Sequence, residues 1–178
     1  AEMEWGEHGL GLMNTHYKYL AIQSPWAMSY LRNRPSSSIP IITGPLLFTR
    51  IRKDKDIRSS TKRKLIPQHY DKIIILHAGT PKFSKGIRPY VYETVDEYIE
   101  NINSLIRAVE KLKEVHLIVR FRPSDYLKLS DFQELLVKSN CYNVHSKGTF
   151  EDYLTIADLL VSYSSTTGEE ALQNRVPV

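Results

Sequence analysis

The chain has little of what marks secreted, membrane-spanning or disulfide-bonded proteins. Its 178 residues include a single cysteine, Cys141, which has no partner for an internal disulfide or at metal-ligand spacing. Its longest apolar runs, such as "KIIIL" and "LLV", are far shorter than the roughly 20 residues that span a bilayer. The first residues also lack the basic-then-apolar order of a signal peptide. We therefore expect a protein of the reducing cytoplasm, in which Cys141 is a buried structural thiol.

The basic character of the chain is confined to one segment. Residues 50–64, "RIRKDKDIRSSTKRK", carry eight Lys or Arg against two Asp, whereas the net charge of the whole chain is +4. Such a segment could contact nucleic acid, an anionic membrane or an acidic substrate. No interleaved aromatic residues or nucleic-acid motif accompany it, so no nucleic-acid partner is expected. A solvated helix face or an interdomain linker is the plainer interpretation.

From residue 71 onward, predicted strands alternate with predicted helices. Thr94 and Glu97 have the spacing of a capping box, and Ser130 stands where the next helix needs a cap. The predicted strands are 72–76, 115–121, 142–145 and 158–163, and the predicted helices are 94–112, 130–138, 149–156 and 167–174. This alternation is typical of βαβ units and predicts an α/β fold, a Rossmann-like parallel sheet with helices on both faces.

The first part of the chain is less regular. Strands are predicted at 18–22 and 39–43, with a helix at 24–31 that has Ser24 as its cap and Pro25 at its first position. The pattern divides the chain into three parts, which are residues 1–48, a basic linker or helix at 49–70, and the regular part at 71–178.

A hydroxyl-rich turn, "SYSSTTGEE", joins the last predicted strand to the last predicted helix. In a parallel sheet this junction lies where ligands bind, because helix starts there present free N–H groups and a partial positive charge. Hydroxyls and free N–H groups suit phosphate oxygens, and a carboxylate further along suits ribose hydroxyls. An ordinary Ser/Thr helix cap is the alternative. The residues that could contact a nucleoside diphosphate here are Ser164, Ser165, Thr166, Thr167, Gly168 and Glu170.

The loop after the first strand of the same sheet is a second candidate. In "AGTPKFSKGIRP" (78–89), Thr80, Lys82 and Lys85 could reach a phosphate at the same sheet edge, and a plain surface loop is the alternative. Three histidines, His77, His116 and His145, lie in or at the ends of predicted strands without metal-ligand spacing. We interpret them as core or edge residues. Neither a metal nor a tightly bound cofactor is expected.

The stretch "SSTTGEEALQNRVPV" resembles the nucleotide-binding signature of the C-terminal domain of GT-B glycosyltransferases and of UDP-N-acetylglucosamine 2-epimerases. In these families a Ser/Gly-rich turn contacts the diphosphate, and a glutamate seven residues before a "PV" pair binds the ribose. Glu170 stands seven residues before Pro177. "ILHAGTPKF", "LIVRFRP" and "TFEDYLTIADLLVSYSST" are similar, in the same order, to segments of the CDP-glycerol glycerophosphotransferases and capsule-polysaccharide transferases. "EHGLG" is similar to the His-Gly motif of their N-terminal domain.

The resemblance implies transfer of a sugar or glycerol phosphate from a UDP-, CDP- or GDP-linked donor to a surface glycan. His8 would be the general base. Arg122 stands where the transferases have histidine before proline, and its guanidinium could clamp a diphosphate. A nucleotide-sugar 2-epimerase, or a non-catalytic nucleotide- or membrane-binding module, is the alternative.

The resemblance also implies a larger enzyme than this chain alone. Residues 1–48 would be the remnant of its N-terminal domain with the interdomain crossing, and 71–178 its nucleotide-binding Rossmann-like domain, incomplete at the C-terminus. A domain of this type continues through the "PV" pair into a further strand, and a GT-B enzyme has a complete N-terminal domain. We therefore expect the chain to be part of a longer enzyme that acts in the cytoplasm, at the inner face of the cell membrane if the basic segment docks there.

Overall fold

The structure, a computed structural model, describes residues 17–32, 37–44, 54–79, 93–122, 127–163 and 166–178. The chain divides into two units, Ala1–Thr49 and Arg50–Val178. Within the described ranges, no helix is long and apolar enough to cross a membrane.

The first unit contains one strand-helix-strand motif. Strand β1 (Tyr19–Ile22) is followed by helix α1 (Pro25–Arg32) and strand β2 (Ile39–Ile42), and the two strands pair in parallel. Proline is favoured at the first helical position because its missing N–H would have no partner there. Ile22 is buried against Leu20 and Met28. The predicted order of strand, helix and strand is confirmed.

The second unit is built on a four-stranded parallel sheet. Its strands are β3 (Ile73–Ala78), β4 (Val115–Arg120), β5 (Tyr142–His145) and β6 (Leu159–Val161), in the spatial order β5-β4-β3-β6. The helices of this unit are α2 (Lys55–Leu65), α3 (Val95–Val109), α4 (Leu129–Leu135), α5 (Phe150–Ile156) and α6 (Thr166–Gln173). Among the described residues of this unit all strand pairs are parallel, which confirms the predicted Rossmann-like sheet.

Helices cover both faces of this sheet. On one face, Ile102 and Ile106 of α3 and Phe132 of α4 pack with Leu117 and Val119 of β4. The other face buries Ile74, Leu76, Ile118, Leu154, Ile156, Leu160 and Ala171 from the strands, α5 and α6. Strands buried on both faces are expected in a parallel sheet, because each crossover places a helix against it.

The basic segment contains a helix that is attached to this unit. Helix α2 has no buried residue, but Arg58 donates to the Ile156 carbonyl at 3.0 Å and to the Asp158 carboxylate at 2.6 Å. The Nζ of Lys62 donates to the Lys72 carbonyl at 2.7 Å. Asp54, the first residue of the sequence Asp-Lys-Asp, caps the helix by accepting from the Asp56 N–H at 2.8 Å. The helix interpretation of part of this segment is confirmed.

Two predicted helix starts have different outcomes. At α3 the capping box is present, because the Glu97 N–H donates to Thr94 Oγ1 at 3.1 Å and the Thr94 N–H donates to Glu97 Oε2 at 2.8 Å. At α4 the prediction of Ser130 as the cap is wrong. That helix begins at Leu129 without a side-chain cap, and the Ser130 hydroxyl donates to Asp131 at 2.8 Å instead.

Candidate functional site

The strand order of the sheet reverses at β3. From β3 the chain passes to β4 and then β5 on one side, whereas β6 lies on the other side of β3. In α/β proteins such a reversal leaves a crevice outside the carboxyl ends of the two strands at which it occurs, here β3 and β6, and ligands bind there. Here β3 ends at Ala78 and is followed by Gly79, and β6 ends at Val161 and is followed by Ser162. We take this crevice as the candidate site.

Ser162 connects the two strands at the crevice. Its hydroxyl donates to the Ala78 carbonyl at 2.7 Å and lies 3.1 Å from Thr167 Oγ1. Because a serine hydroxyl has one proton, the Thr167 hydroxyl is the donor in the second bond. The first turn of α6 is thereby fixed to the end of β3. Sequence reasoning missed Ser162 as a site residue, although a polar residue directly after an apolar strand is a usable signal.

Three residues of the hydroxyl-rich turn lie in the first turn of α6. These are Thr166, Thr167 and Gly168. The first N–H groups of a helix have no partner within the helix and carry a partial positive charge. A Cβ added at Gly168 would meet Val178 Cγ1 at 3.8 Å, an ordinary contact, apart from its chain neighbours and its own helix backbone. Gly168 therefore leaves room for a methyl-sized group beside Val178.

Glu170 lies at the middle of α6 and is half-buried. Its carbonyl accepts from both the backbone N–H of Asn174, at 3.1 Å, and the Asn174 side-chain amide, at 2.9 Å. Glu169, by contrast, is exposed in the first turn. The chain then returns to the sheet, where the Leu160 N–H donates to the Pro177 carbonyl at 2.8 Å. Glu170 on α6 and Pro177, which bonds to β6, thus lie on the segment that leads from the helix back to the sheet. Their spacing is the one that the sequence analysis singles out.

The end of β4 carries two arginines in different environments. Arg122 is exposed just beyond the strand. Arg120 is half-buried, and its guanidinium donates to the carbonyls of Phe121 at 3.1 Å, His145 at 3.2 Å and Gly148 at 2.9 Å. It also lies 5.3 Å from the centre of the Tyr153 ring. Burial, and secondarily the Arg120 charge, lower the pKa of His145. Sequence reasoning missed Arg120, because an arginine within a strand pattern carries no local sign of these partners.

Six of the predicted site residues lie outside the described residues. They are His8, Thr80, Lys82, Lys85, Ser164 and Ser165. Among the described residues, four predicted site residues lie on α6, beside the ends of β3 and β6. They are Thr166, Thr167, Gly168 and Glu170. Arg122 follows β4, the strand next to β3.

The sheet order, the covered faces and the crevice together define a Rossmann-like α/β protein. No protein-family model matches the chain, and no curated protein matches it. Among solved structures, the chain is similar to the wall teichoic acid polymerase TagF. A histidine-to-asparagine variant of TagF soaked with CDPG aligns over 96% of this chain at 15% identity, with a TM-score of 0.53.

Two further TagF structures give the same result. The same variant without the soak aligns over 96% of this chain at 14% identity and a TM-score of 0.55. A histidine-to-alanine variant aligns over 95% at 14% identity and a TM-score of 0.54. The aligned region is 40% to 41% of the TagF chains. At this identity the similarity shows a shared fold.

Proposed function

We propose that the chain carries the donor-nucleotide site of a GT-B type transferase. The enzyme would move a sugar or glycerol phosphate from a nucleotide-activated donor to a surface glycan or related polymer. The observation that supports this proposal is the location of the hydroxyl-rich helix start of α6 at the crevice between β3 and β6, where Ser162 fixes it. The similar TagF structures are of a polymerase, one of them soaked with CDPG, which favours transfer over epimerisation.

The proposed chemistry is mainly electrostatic. An acceptor hydroxyl attacks the donor and loses its proton to a base, a role we assign to His8. In sugar transfer the bond from the sugar to the diphosphate breaks and a nucleoside diphosphate leaves; in glycerol phosphate transfer the diphosphate bridge breaks and a nucleoside monophosphate leaves. In either reaction negative charge develops on phosphate oxygens, which the N–H groups at the start of α6 would stabilise.

The other site residues have complementary roles in this proposal. The hydroxyls of Ser164 and Ser165 and the loop at Thr80 would surround the phosphates, and the Glu170 carboxylate would accept from the ribose hydroxyls. Arg122, exposed at the end of β4, would clamp the diphosphate with its guanidinium. The fixed charge of Arg120 near the same edge would make the local potential more positive.

Contact with an anionic membrane is a separate part of the proposal. Lys55, Arg63 and Lys64 on α2 are exposed, whereas Arg58 and Lys62 make contacts inside the unit. We expect vesicles containing phosphatidylglycerol to retain the protein at low salt and to release it when Arg63 and Lys64 are both changed to alanine. Equal retention by neutral phosphatidylcholine vesicles would contradict an electrostatic contact.

Titration calorimetry with UDP, CDP, GDP and CMP tests the nucleotide site. We expect one diphosphate to bind, and CMP to bind more weakly than CDP if cytosine is the base. Glu170→Ala should weaken the binding by about tenfold, the effect of losing roughly 1.4 kcal/mol of hydrogen bonding. Glu134→Ala, a change at an exposed residue of α4, is the matched control. Absence of binding by every nucleotide would contradict the proposed function, and unchanged affinity of Glu170→Ala would remove the ribose role alone.

A further inference from the structure

The Arg120 guanidinium binds the main chain at the ends of two neighbouring strands. Its Nη1 donates to the carbonyls of Phe121 at 3.1 Å and His145 at 3.2 Å, and its Nη2 donates to the Gly148 carbonyl at 2.9 Å. The ring of Tyr153 lies 5.3 Å from the guanidinium carbon. A guanidinium is planar and presents its donors in a rigid fork, so three acceptors bound at once fix one another's positions. Arg120 therefore joins the carboxyl end of β4 to that of β5 and to the loop that follows β5.

Phe121, the residue before Arg122, is held by its side chain and by both of its main-chain groups. The side chain is fully buried and stacks on Phe132, with ring centroids 4.1 Å apart. The Phe121 N–H donates to the His145 carbonyl at 2.9 Å, and the Phe121 carbonyl accepts from Arg120. This carbonyl and the N–H of Arg122 belong to one planar peptide unit. The bond from Arg120 therefore fixes the plane from which Arg122 continues.

The sequence restricts Arg122 on its other side. Pro123 follows it, and a residue before proline is disfavoured in the helical region and adopts extended conformations. In an extended chain, successive side chains point to opposite faces of the sheet. Ile118 packs on the face covered by α5 and α6, and Phe121 packs on the opposite face. This alternation favours the face of α5 and α6 for the Arg122 side chain, which is exposed.

We propose that Arg120 is a positioning residue of the donor site, which holds the end of β4 so that Arg122 can clamp the diphosphate. This inference rests on the proposed function and adds to it a residue that need not touch the donor. With the main chain of Arg122 already fixed, only its side chain has to be ordered when the diphosphate binds. A smaller ordering cost leaves more of the interaction energy as affinity.

A double-mutant cycle, measured by calorimetry on the full chain, tests this role. The ligands are the diphosphate that the wild type binds most tightly among CDP, UDP and GDP, and the matching monophosphate. Arg120→Lys keeps the positive charge but replaces the planar fork by a single nitrogen, and Arg122→Ala removes the clamp. We expect Arg122→Ala to lower the ratio of diphosphate to monophosphate affinity by about tenfold, and Arg120→Lys by about fivefold. In the Arg122→Ala background, Arg120→Lys should lower this ratio no further.

Tyr153→Phe is the matched control within the same cluster. The Tyr153 hydroxyl donates to the Lys147 carbonyl at 2.6 Å, so the variant removes one bond of the loop after β5. It keeps the ring beside Arg120 and leaves the bond to the Phe121 carbonyl in place. We expect the affinity ratio to stay within about twofold of the wild type. A loss as large as that of Arg120→Lys would overturn the inference, because general loosening of the loop would then account for both.

A measurement on the wild type alone covers the case in which Arg120→Lys does not fold. We expect the NMR order parameter of the Arg122 amide to be about 0.85, as in a rigid strand, although Arg122 lies beyond the end of β4. A value below about 0.6 would mean that the main chain there is flexible, and it would overturn the inference.

The outcomes separate this inference from the proposed function. If Arg120→Lys lowers the affinity ratio equally in both backgrounds, or in neither, Arg120 does not act through Arg122. If Arg122→Ala leaves the ratio unchanged, there is no clamp to position. Each of these results overturns the inference while the nucleotide site stands. If the wild type binds none of the nucleotides, the proposed function and the inference are both overturned.

Discussion

The Asp158 carboxylate accepts a hydrogen bond of 2.6 Å from the Arg58 guanidinium, 100 residues earlier in the chain. Its other oxygen accepts from the Ile74 N–H at 2.9 Å, and the Asp158 N–H donates to the Ile74 carbonyl at 2.8 Å. One side chain therefore joins α2, the start of β3 and the start of β6. The two charged side chains are 33% and 36% exposed, so solvent screens part of their attraction.

Replacement of Asp158 should destabilise the second unit. Asp158→Ala leaves the Ile74 N–H without its side-chain acceptor and Arg58 without its ion pair, and we expect a loss of about 1–2 kcal/mol in the free energy of unfolding. Urea unfolding measures the change. Arg107→Ala, which removes an exposed pair with Glu100 on α3, is the control and should cost well under about 1 kcal/mol. Equal effects of the two variants would show that Asp158 has no special role.

Removal of the cap of α3 should also lower stability. Thr94→Ala deletes the acceptor for the Glu97 N–H, and loss of such a cap typically costs about 1 kcal/mol. Hydrogen bonds from Thr94 lower the pKa of Glu97. We therefore expect the Glu97 pKa to move up towards its ordinary value in this variant, as followed by NMR titration. Alanine keeps the Thr94 backbone N–H, the larger cause of the lowered pKa, so the rise should be partial. A Glu97 pKa that did not move would exclude the contribution of the Thr94 hydroxyl.

Stability should fall in mild acid because two histidines are buried in their neutral form. Burial lowers the pKa of His77 and that of His116 to about 4, from 6.5 for an exposed histidine. Between these values the unfolded chain binds more protons than the folded chain, so the free energy of unfolding decreases as the pH falls from about 6.5 to about 4. Urea unfolding across this range should show the decline. His116→Gln should make it shallower, and an unchanged slope would exclude a contribution from His116.

Loss of the Ser162 hydroxyl should loosen the start of α6. Ser162→Ala removes the bond to the Ala78 carbonyl and the acceptor of Thr167. We expect a loss of about 1 kcal/mol in stability and weaker binding of the nucleoside diphosphate, by severalfold. Ser104→Ala, which removes an exposed hydroxyl on α3, should change neither quantity. Normal nucleotide affinity in Ser162→Ala would show that the start of α6 needs no such support.

Much of the fold could be predicted because its signals are local. The apolar run of β3 and the capping box at Thr94 each involve residues within a few positions, and the structure has both. The predicted strand 142–145 has the observed bounds. Strand β6 is shorter than predicted, since Asp158 and Ser162 lie outside it and use their side chains to reach β3.

The contacts that shape the candidate site could not be predicted in the same way. Ser162 and its acceptor Ala78 are 84 residues apart, and Arg120 reaches carbonyls 25 and 28 residues away. Such pairings depend on strand order, which a local pattern does not contain. The sequence predicts a core or edge position for His77, and its burial agrees with that prediction. Its buried Nδ1 has no hydrogen-bond partner among the described residues, a property of its surroundings that has no counterpart in the sequence.

The return of the chain from α6 to β6 bears on how tightly a ligand could bind. The start of α6 is held by the hydrogen bond between Thr167 and Ser162. Beyond the end of the helix, the Val176 N–H donates to the Ala171 carbonyl, and the Leu160 N–H of β6 donates to the Pro177 carbonyl. A helix restrained at both ends would lose little conformational freedom on binding the nucleotide that we propose as its ligand. Helix α6 is already ordered in the folded protein, so more of the interaction energy between its start and a ligand would appear as binding affinity.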